Sequence, residues 1–257
     1  MSKAARRSAR ERLREEQRRQ AERQRRRRRL LLIVAPIAVI VLVVGAGVAV
    51  QALRNRGSEF EGRTPPATLL DNGSIKLAAQ GATASTPVID VYEDFQCPAC
   101  KEFERINGGR LKELAAERKA VVVYHPVAII DERSIRSGSA ARCAADAGKF
   151  IEYHDILYGN QPPEAGGQGF TAEDLKRYGA QAGLKGEKFA QCVESVRYRQ
   201  EVLQRTQQIS TRYQQQTGQG FSTPTVYLND QPLDSGVLFS ADAFDNAVQE
   251  ATKEEKK

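Results

Sequence analysis

Apolar and polar positions divide this chain into unlike parts. Residues 1–29 carry few apolar side chains and residues 30–53 almost nothing else. Beyond about residue 75 the two classes alternate with the short periods of folded elements. Ile75-Lys76-Leu77 predicts a short strand and Pro87-Val88-Ile89-Asp90-Val91-Tyr92 a longer one. Residues 98–119 predict a helix, broken at Asn107-Gly108-Gly109. The unbroken apolar run Val121-Val122-Val123-Tyr124 predicts a buried strand, ended by His125-Pro126. From about 133 to 216 the spacing is helical, with segments at 134–147, 150–158, 172–182, 187–195 and 199–216. A loop rich in Pro and Gly fills 161–169, and Thr171 with Asp174 forms a helix-start signature. Strands return at 224–228 and Pro232-Leu233 around an Asn229-Asp230 turn, followed by a helix over 241–251. The order is strand, helix, strand, helical block, two strands, helix. It is an α/β pattern without internal repeats.

Charge changes this picture only at the N-terminus. Residues 1–29 hold one Lys and thirteen Arg against four Glu, a net of +10, so the other 228 residues of this +7 chain sum to −3. The basic pI describes a tail, and the body has no excess of the kind that binds nucleic acid.

Residues 30–53 stay uncharged up to Arg54 and as a helix would extend ~36 Å, enough to cross a bilayer core of about 30 Å. Arg25 to Arg29 abut the run, which places residues 1–29 in the cytoplasm and everything after Arg54 outside it. A cleavable signal peptide is the rival reading; its apolar region is normally about 7–15 residues, shorter than this one. Residues 54–74, with Gly57, Gly62, Pro65, Pro66 and Gly73, read as a linker that lifts a domain of residues 75–257 off the membrane.

The candidate chemistry lies in four cysteines. Cys97-Pro98-Ala99-Cys100 joins a strand pattern to a helix pattern, so the first thiol sits at a helix N-terminus, where free N–H groups and the macrodipole favour its thiolate. Proximity pairs Cys97 with Cys100 and leaves Cys143 with Cys192; bridging those two closes 48 intervening residues, worth about 4 kcal/mol in the chain-entropy account. Zinc needs two further ligands near the CxxC, and haem attachment needs His where Lys101 stands. No metal is therefore expected. His125 and His154 read as ordinary helix or strand-end residues.

Asp94-Phe95-Gln96-Cys97-Pro98-Ala99-Cys100 early and Gly220-Phe221-Ser222-Thr223-Pro224-Thr225 late give the chain its resemblance to the DsbA-like branch of the thioredoxin superfamily, over about residues 75–251. The resemblance implies a thioredoxin fold with an inserted α-helical domain at about 131–196. It also implies a cis Thr223–Pro224 bond beside the CxxC, where the backbone pairs with substrate. Cys97 becomes the exposed attacking sulfur and Cys100 the buried resolving one. The implied activity is an extracytoplasmic oxidase that donates the Cys97–Cys100 disulfide to exported, reduced proteins, with no cofactor beyond that disulfide. Its implied recharging partner is a quinone-linked membrane thiol oxidase of the DsbB or vitamin-K-epoxide-reductase-like kind. An isomerase or reductase on the same fold and a non-catalytic membrane-anchored adaptor are the alternatives. Isomerase relatives dimerise through a separate N-terminal domain that residues 54–74 are too few to build, so a monomer is expected.

Two departures from the family pattern matter. Pro98-Ala99 supplies no His to stabilise the thiolate, which predicts a milder oxidant than the enterobacterial type protein. Val91 stands six residues before the first cysteine, where the superfamily often holds a buried carboxylate. Alternation turns Asp90 to the other face and puts Glu93 on the face of Val91, so Glu93 is the candidate for proton handling.

Overall fold

The structure is a computed structural model that describes residues 64–162 and 169–254. The basic tail, the apolar run of 30–53 and the first part of the linker lie outside the described residues. Among the described residues no helix is long and apolar enough to cross a membrane.

Six strands form one sheet in the order β1 (Ala67–Leu69), β2 (Ile75–Leu77), β4 (Val121–Pro126), β3 (Val88–Glu93), β5 (Thr225–Leu228), β6 (Gln231–Pro232). Its centre is β3 (Val88–Glu93) beside β4 (Val121–Pro126), paired in parallel and joined by helix α1 (Pro98–Ala116). A parallel pair needs such a crossover, and the helix covers one sheet face. All six residues of β4 are buried, as its unbroken apolar run requires of a central strand. On β3, Ile89, Val91 and Glu93 are fully buried on one face, whereas Tyr92 joins Tyr227 and Ile209 on the other.

Both sheet edges are hairpins. β5 (Thr225–Leu228) and β6 (Gln231–Pro232) turn through Asn229 and Asp230, whose φ values of 48° and 64° give the two left-handed positions that match strand twist. The other hairpin corrects the linker expectation. β1 (Ala67–Leu69) pairs with β2 (Ile75–Leu77) through a turn in which Gly73 has φ 77° and Asn72 Oδ1 accepts from the Ser74 amide at 3.0 Å. Residues 67–74 thus belong to the domain, and Asn72-Gly73 between apolar runs is the signal for it.

A second correction concerns α1, which runs unbroken through Asn107-Gly108-Gly109. Asn107 donates Nδ2 to the Leu238 carbonyl at 2.7 Å, which ties the helix to α7 (Ser235–Leu238), an element not foreseen. Gly108 makes room instead: a Cβ there would lie 2.4 Å from Glu104 Oε2. Tertiary fit outweighs the ~1 kcal/mol a helical glycine costs.

Between β4 and the long helix α6 (Arg199–Thr217) come α2 (Glu132–Asp146), α3 (Phe150–Gly159), α4 (Ala172–Gln181) and α5 (Glu187–Glu194). Thr171 and Asp174 cap α4 reciprocally, satisfying two otherwise free N–H groups. Tyr153 donates its hydroxyl to the Leu175 carbonyl at 3.0 Å, and the Phe189 ring lies on Gly179, where a Cβ would meet it at 2.1 Å. Cys143 and Cys192 are disulfide-bonded with Cα atoms 6.1 Å apart, tying α2 to α5. Helix α8 (Ala241–Glu254) closes the domain against α1, with Phe244 edge-on to Phe103. The architecture is a thioredoxin fold carrying an inserted helical block.

Replacing both Cys143 and Cys192 by Ala is expected to lower stability by about 4 kcal/mol, read as a shifted urea midpoint, while the Cys97 thiol keeps its reactivity.

Candidate functional site

The site begins where β3 ends. Asp94 is buried and accepts the Gln96 amide on Oδ1 at 2.8 Å and the Ile129 amide on Oδ2 at 2.9 Å, so one carboxylate ties together the loops after β3 and β4. Its own carbonyl accepts the Cys97 amide at 2.9 Å. Gln161, just beyond α3, donates Nε2 to the carbonyls of Phe95 at 2.9 Å and Cys97 at 3.0 Å. A residue attached to the helical insertion therefore holds the active-site loop.

Cys97 is the N-cap of α1, with extended backbone, and Pro98 takes the first helical position, where its missing N–H costs nothing. The Cys97 carbonyl accepts the amides of Cys100 at 3.1 Å and Lys101 at 3.2 Å. Both thiols of the pair are free. The Thr223–Pro224 bond is cis, and the Thr223 carbonyl lies 3.3 Å from Cys97 Sγ, within reach of the thiol proton.

The two sulfurs titrate in opposite directions. Hydrogen bonding from the Cys100 thiol is the main force that lowers the Cys97 pKa to about 6; burial works against it, and the Thr223 side chain and the amides of Cys100 and Ala99 add to it. Burial first, then the neighbouring Cys97 and the charge of Glu93, push Cys100 well above the ordinary thiol range. The expected contrast between an exposed and a buried sulfur is narrower here. Cys97 is only 9% exposed against 0% for Cys100, because the segment carrying Thr223 lies over it.

Behind the dithiol lies a group of charges of which the sequence announced only Glu93. Glu93 is fully buried, with Oε1 2.8 Å from His154 Nε2, and the other nitrogen of that ring is 3.0 Å from Asp155 Oδ1. Lys112 of α1 pairs with the same Asp155. Glu104, four residues after Cys100 and so on its helix face, brings its carboxyl to the same place. Donor atoms of Glu93, Glu104 and His154 lie within 4.8 Å of one another. His154 is thus no ordinary helix residue. The four-residue step from Cys100 to Glu104 and on to Gly108 was the available signal for Glu104; nothing local marks His154.

Asp90 points to the opposite face, as alternation requires, with Oδ1 2.6 Å from His125 Nε2; the His125 ring stacks on Tyr92 at 4.2 Å. A cavity of about 200 Å³ there is lined by Arg205 and Arg212 as well, but Arg205 is bonded to Glu201 and Arg212 to Asp230.

Known proteins share this fold. The oxidised DsbA of Mycobacterium tuberculosis is 26% identical, with TM-score 0.57 over 72% of this chain and 91% of that one. MdbA, a thiol-disulfide oxidoreductase from Corynebacterium diphtheriae, is 19% identical with TM-score 0.59, covering 72% of this chain and 92% of that one, and shares the fold. A Rickettsia typhi relative whose name provisionally assigns protein-disulfide oxidoreductase activity is 22% identical over 188 residues, 73% of this chain; the match spans 65% of that relative's length. The family model described as thioredoxin matches residues 74–250, more than half of the 257 residues, and this chain belongs to the thioredoxin family.

Proposed function

We propose that this protein is a thiol–disulfide oxidoreductase that passes the Cys97–Cys100 disulfide to cysteine pairs of other proteins. The observation that carries this reading is the unequal dithiol: a Cys97 thiol lowered to about 6 beside a buried Cys100 held protonated. A substrate thiolate attacks Cys97, the more accessible of the two sulfurs, and the Cys97–Cys100 bond breaks with Cys100 as the leaving sulfur. A second substrate thiolate then displaces Cys97 and leaves the enzyme dithiol.

The preferred direction is oxidation. A stabilised Cys97 thiolate stabilises the reduced enzyme and makes its disulfide more oxidising. The names of the structural relatives, DsbA and MdbA among them, support the same chemistry. The uncharged run 30–53 behind an Arg cluster supports a single membrane anchor with the catalytic domain outside the cytoplasm, where clients are exported, reduced proteins. A quinone-linked membrane thiol oxidase would recharge it, and the charge of the body speaks against nucleic-acid partners.

Four measurements test the reading. Alkylation of the reduced enzyme at Cys97 is expected to follow an apparent pKa of about 6, and Cys100→Ala is expected to raise that pKa towards the ordinary thiol value of about 8.5, since the main stabilising hydrogen bond is gone. Because folding lowers this pKa, the stabilisation is fully present above the unfolded value near 8.5 and disappears as pH falls through about 6. The reduced form should therefore gain on the oxidised form as pH rises across that window, read from paired urea melts. Equilibration with glutathione gives the direction: a reduction potential near −270 mV, as in thioredoxin, would contradict an oxidase and favour a reductase. Trapping with Cys100→Ala in living cells is expected to accumulate mixed disulfides with exported proteins, and their complete absence would sink the enzymatic reading.

A further inference from the structure

Residues 94–97 carry the first sulfur on a loop that is buried throughout, so each backbone polar group there needs a partner. The Gln96 amide goes to the Asp94 carboxylate and the Cys97 amide to the Asp94 carbonyl. The Cys97 carbonyl accepts the Cys100 and Lys101 amides that open α1. The Phe95 carbonyl is met by Gln161 Nε2 at 2.9 Å, from a residue 66 positions along the chain, and the same nitrogen reaches the Cys97 carbonyl at 3.0 Å. Among the described residues Gln161 is the only hydrogen-bond partner of the Phe95 carbonyl.

The position suits a primary amide. One NH2 group offers two protons in divergent directions, which two carbonyl oxygens on either side of Gln96 can share. The reverse orientation would set Oε1 against both carbonyls, so the bonding fixes which way the amide faces. A carboxylate would repel the same pair, and an Asn side chain would be one methylene short. Gln161 is itself held in place. Its backbone amide donates to the Tyr158 carbonyl at 3.4 Å, and Pro162 behind it steers its backbone towards extended conformations. Tyr158, three residues earlier, packs its ring against Phe95 with centroids 5.1 Å apart. The end of α3 thus grips both the side chain and the backbone of the loop.

We infer that Gln161 is a positioning residue for thiol exchange: by holding the Phe95 and Cys97 carbonyls it aims Cys97 Sγ at the first turn of α1 and at the Thr223 segment. The inference rests on the oxidoreductase reading and deepens it. The Cys97 sulfur faces the Cys100 thiol and the Ala99 and Cys100 amides from α1, and Thr223 from the segment before β5. Those groups stabilise its anion only while the loop presents the sulfur to them, because hydrogen bonds weaken steeply with angle. In the last step of exchange a substrate thiolate attacks the substrate sulfur of the mixed disulfide. That S–S bond breaks and its electron pair leaves on Cys97 Sγ. The substrate has then lost two electrons, and the enzyme is the dithiol, Cys100 having taken its proton from solvent. Gln161 acts through the backbone that carries the departing sulfur.

The test follows iodoacetamide alkylation of Cys97 against pH in the reduced full chain, together with its exchange equilibrium with glutathione. The native inflection is expected at about 6. Gln161→Met, similar in length but without a donor, should raise it by about one unit, a tenfold loss of acidity. The same variant should oxidise glutathione with an equilibrium constant about tenfold lower at a pH of about 8, because the thiolate of the reduced enzyme is what Gln161 steadies. Gln161→Glu should raise the inflection further, since a carboxylate repels both carbonyls and the thiolate. Urea melts of the same variants separate positioning from support: a bond that only supports the fold lowers stability and leaves the inflection and the equilibrium in place. That outcome in Gln161→Met would overturn the inference, as would a shift confined to Gln161→Glu, which is through-space charge. A check on the native chain needs no variant to fold. The Gln161 side-chain N–H signals in its nuclear magnetic resonance spectrum should shift with the Cys97 titration, and signals that stay in place overturn the inference too. Should glutathione never form or reduce a Cys97–Cys100 disulfide, the oxidoreductase reading falls and takes this inference with it; normal exchange with an unmoved inflection in Gln161→Met removes the inference alone.

Discussion

One hydrogen bond divides the labour between the two sulfurs. With Cys100 donating to Cys97, negative charge collects on the sulfur beneath Thr223 and is denied to the one in the core. Everything around the pair enforces that asymmetry. The first turn of α1 directs its amides towards Cys97, Pro98 starts the helix without competing for them, and the sheet buries Cys100 completely. Were both sulfurs equally solvated, neither would be a preferred point of attack or a preferred leaving group.

The fold's second commitment is to burying ions. Glu93, His154, Asp155 and Lys112 form a chain from β3 through α3 to α1, and such a chain is costly to desolvate unless each member is met by another. A hydrophobic replacement could pack as well. What the ionic version adds is a link between two parts of the chain 61 residues apart, Glu93 and His154, in the same core as the dithiol. Stability and chemistry share this ground, so substitutions in the cluster disturb both.

The sequence displayed the active end of this arrangement better than its foundations. The CxxC at a strand–helix junction, the late Thr223-Pro224 and the helical block between them were legible because local spacing encodes them. The capping box at Thr171 was legible for the same reason, and the pairing of Cys143 with Cys192 by elimination once the CxxC was set aside. Misreadings came where a tertiary neighbour overrules a local signal. Asn107-Gly108-Gly109 looks like a break, yet Leu238 and the Glu104 carboxyl occupy the space those residues leave. Leu69 fell in the stretch read as linker until its strand paired with the foreseen one at Ile75. His154 could not be read at all, since its partner Glu93 lies on a distant strand. Glu93 itself was found through strand parity alone, which gave its face but not its company.

Gln161 makes two bonds that join separate parts of the fold. Because one amide spans the carbonyls of Phe95 and Cys97, the bend that aims the first sulfur is stapled to the far end of α3. A visiting polypeptide that pries at the helical cap must also loosen the grip on the reactive corner. The far end of α3 and the reactive corner are therefore coupled, and whatever steadies one steadies the other.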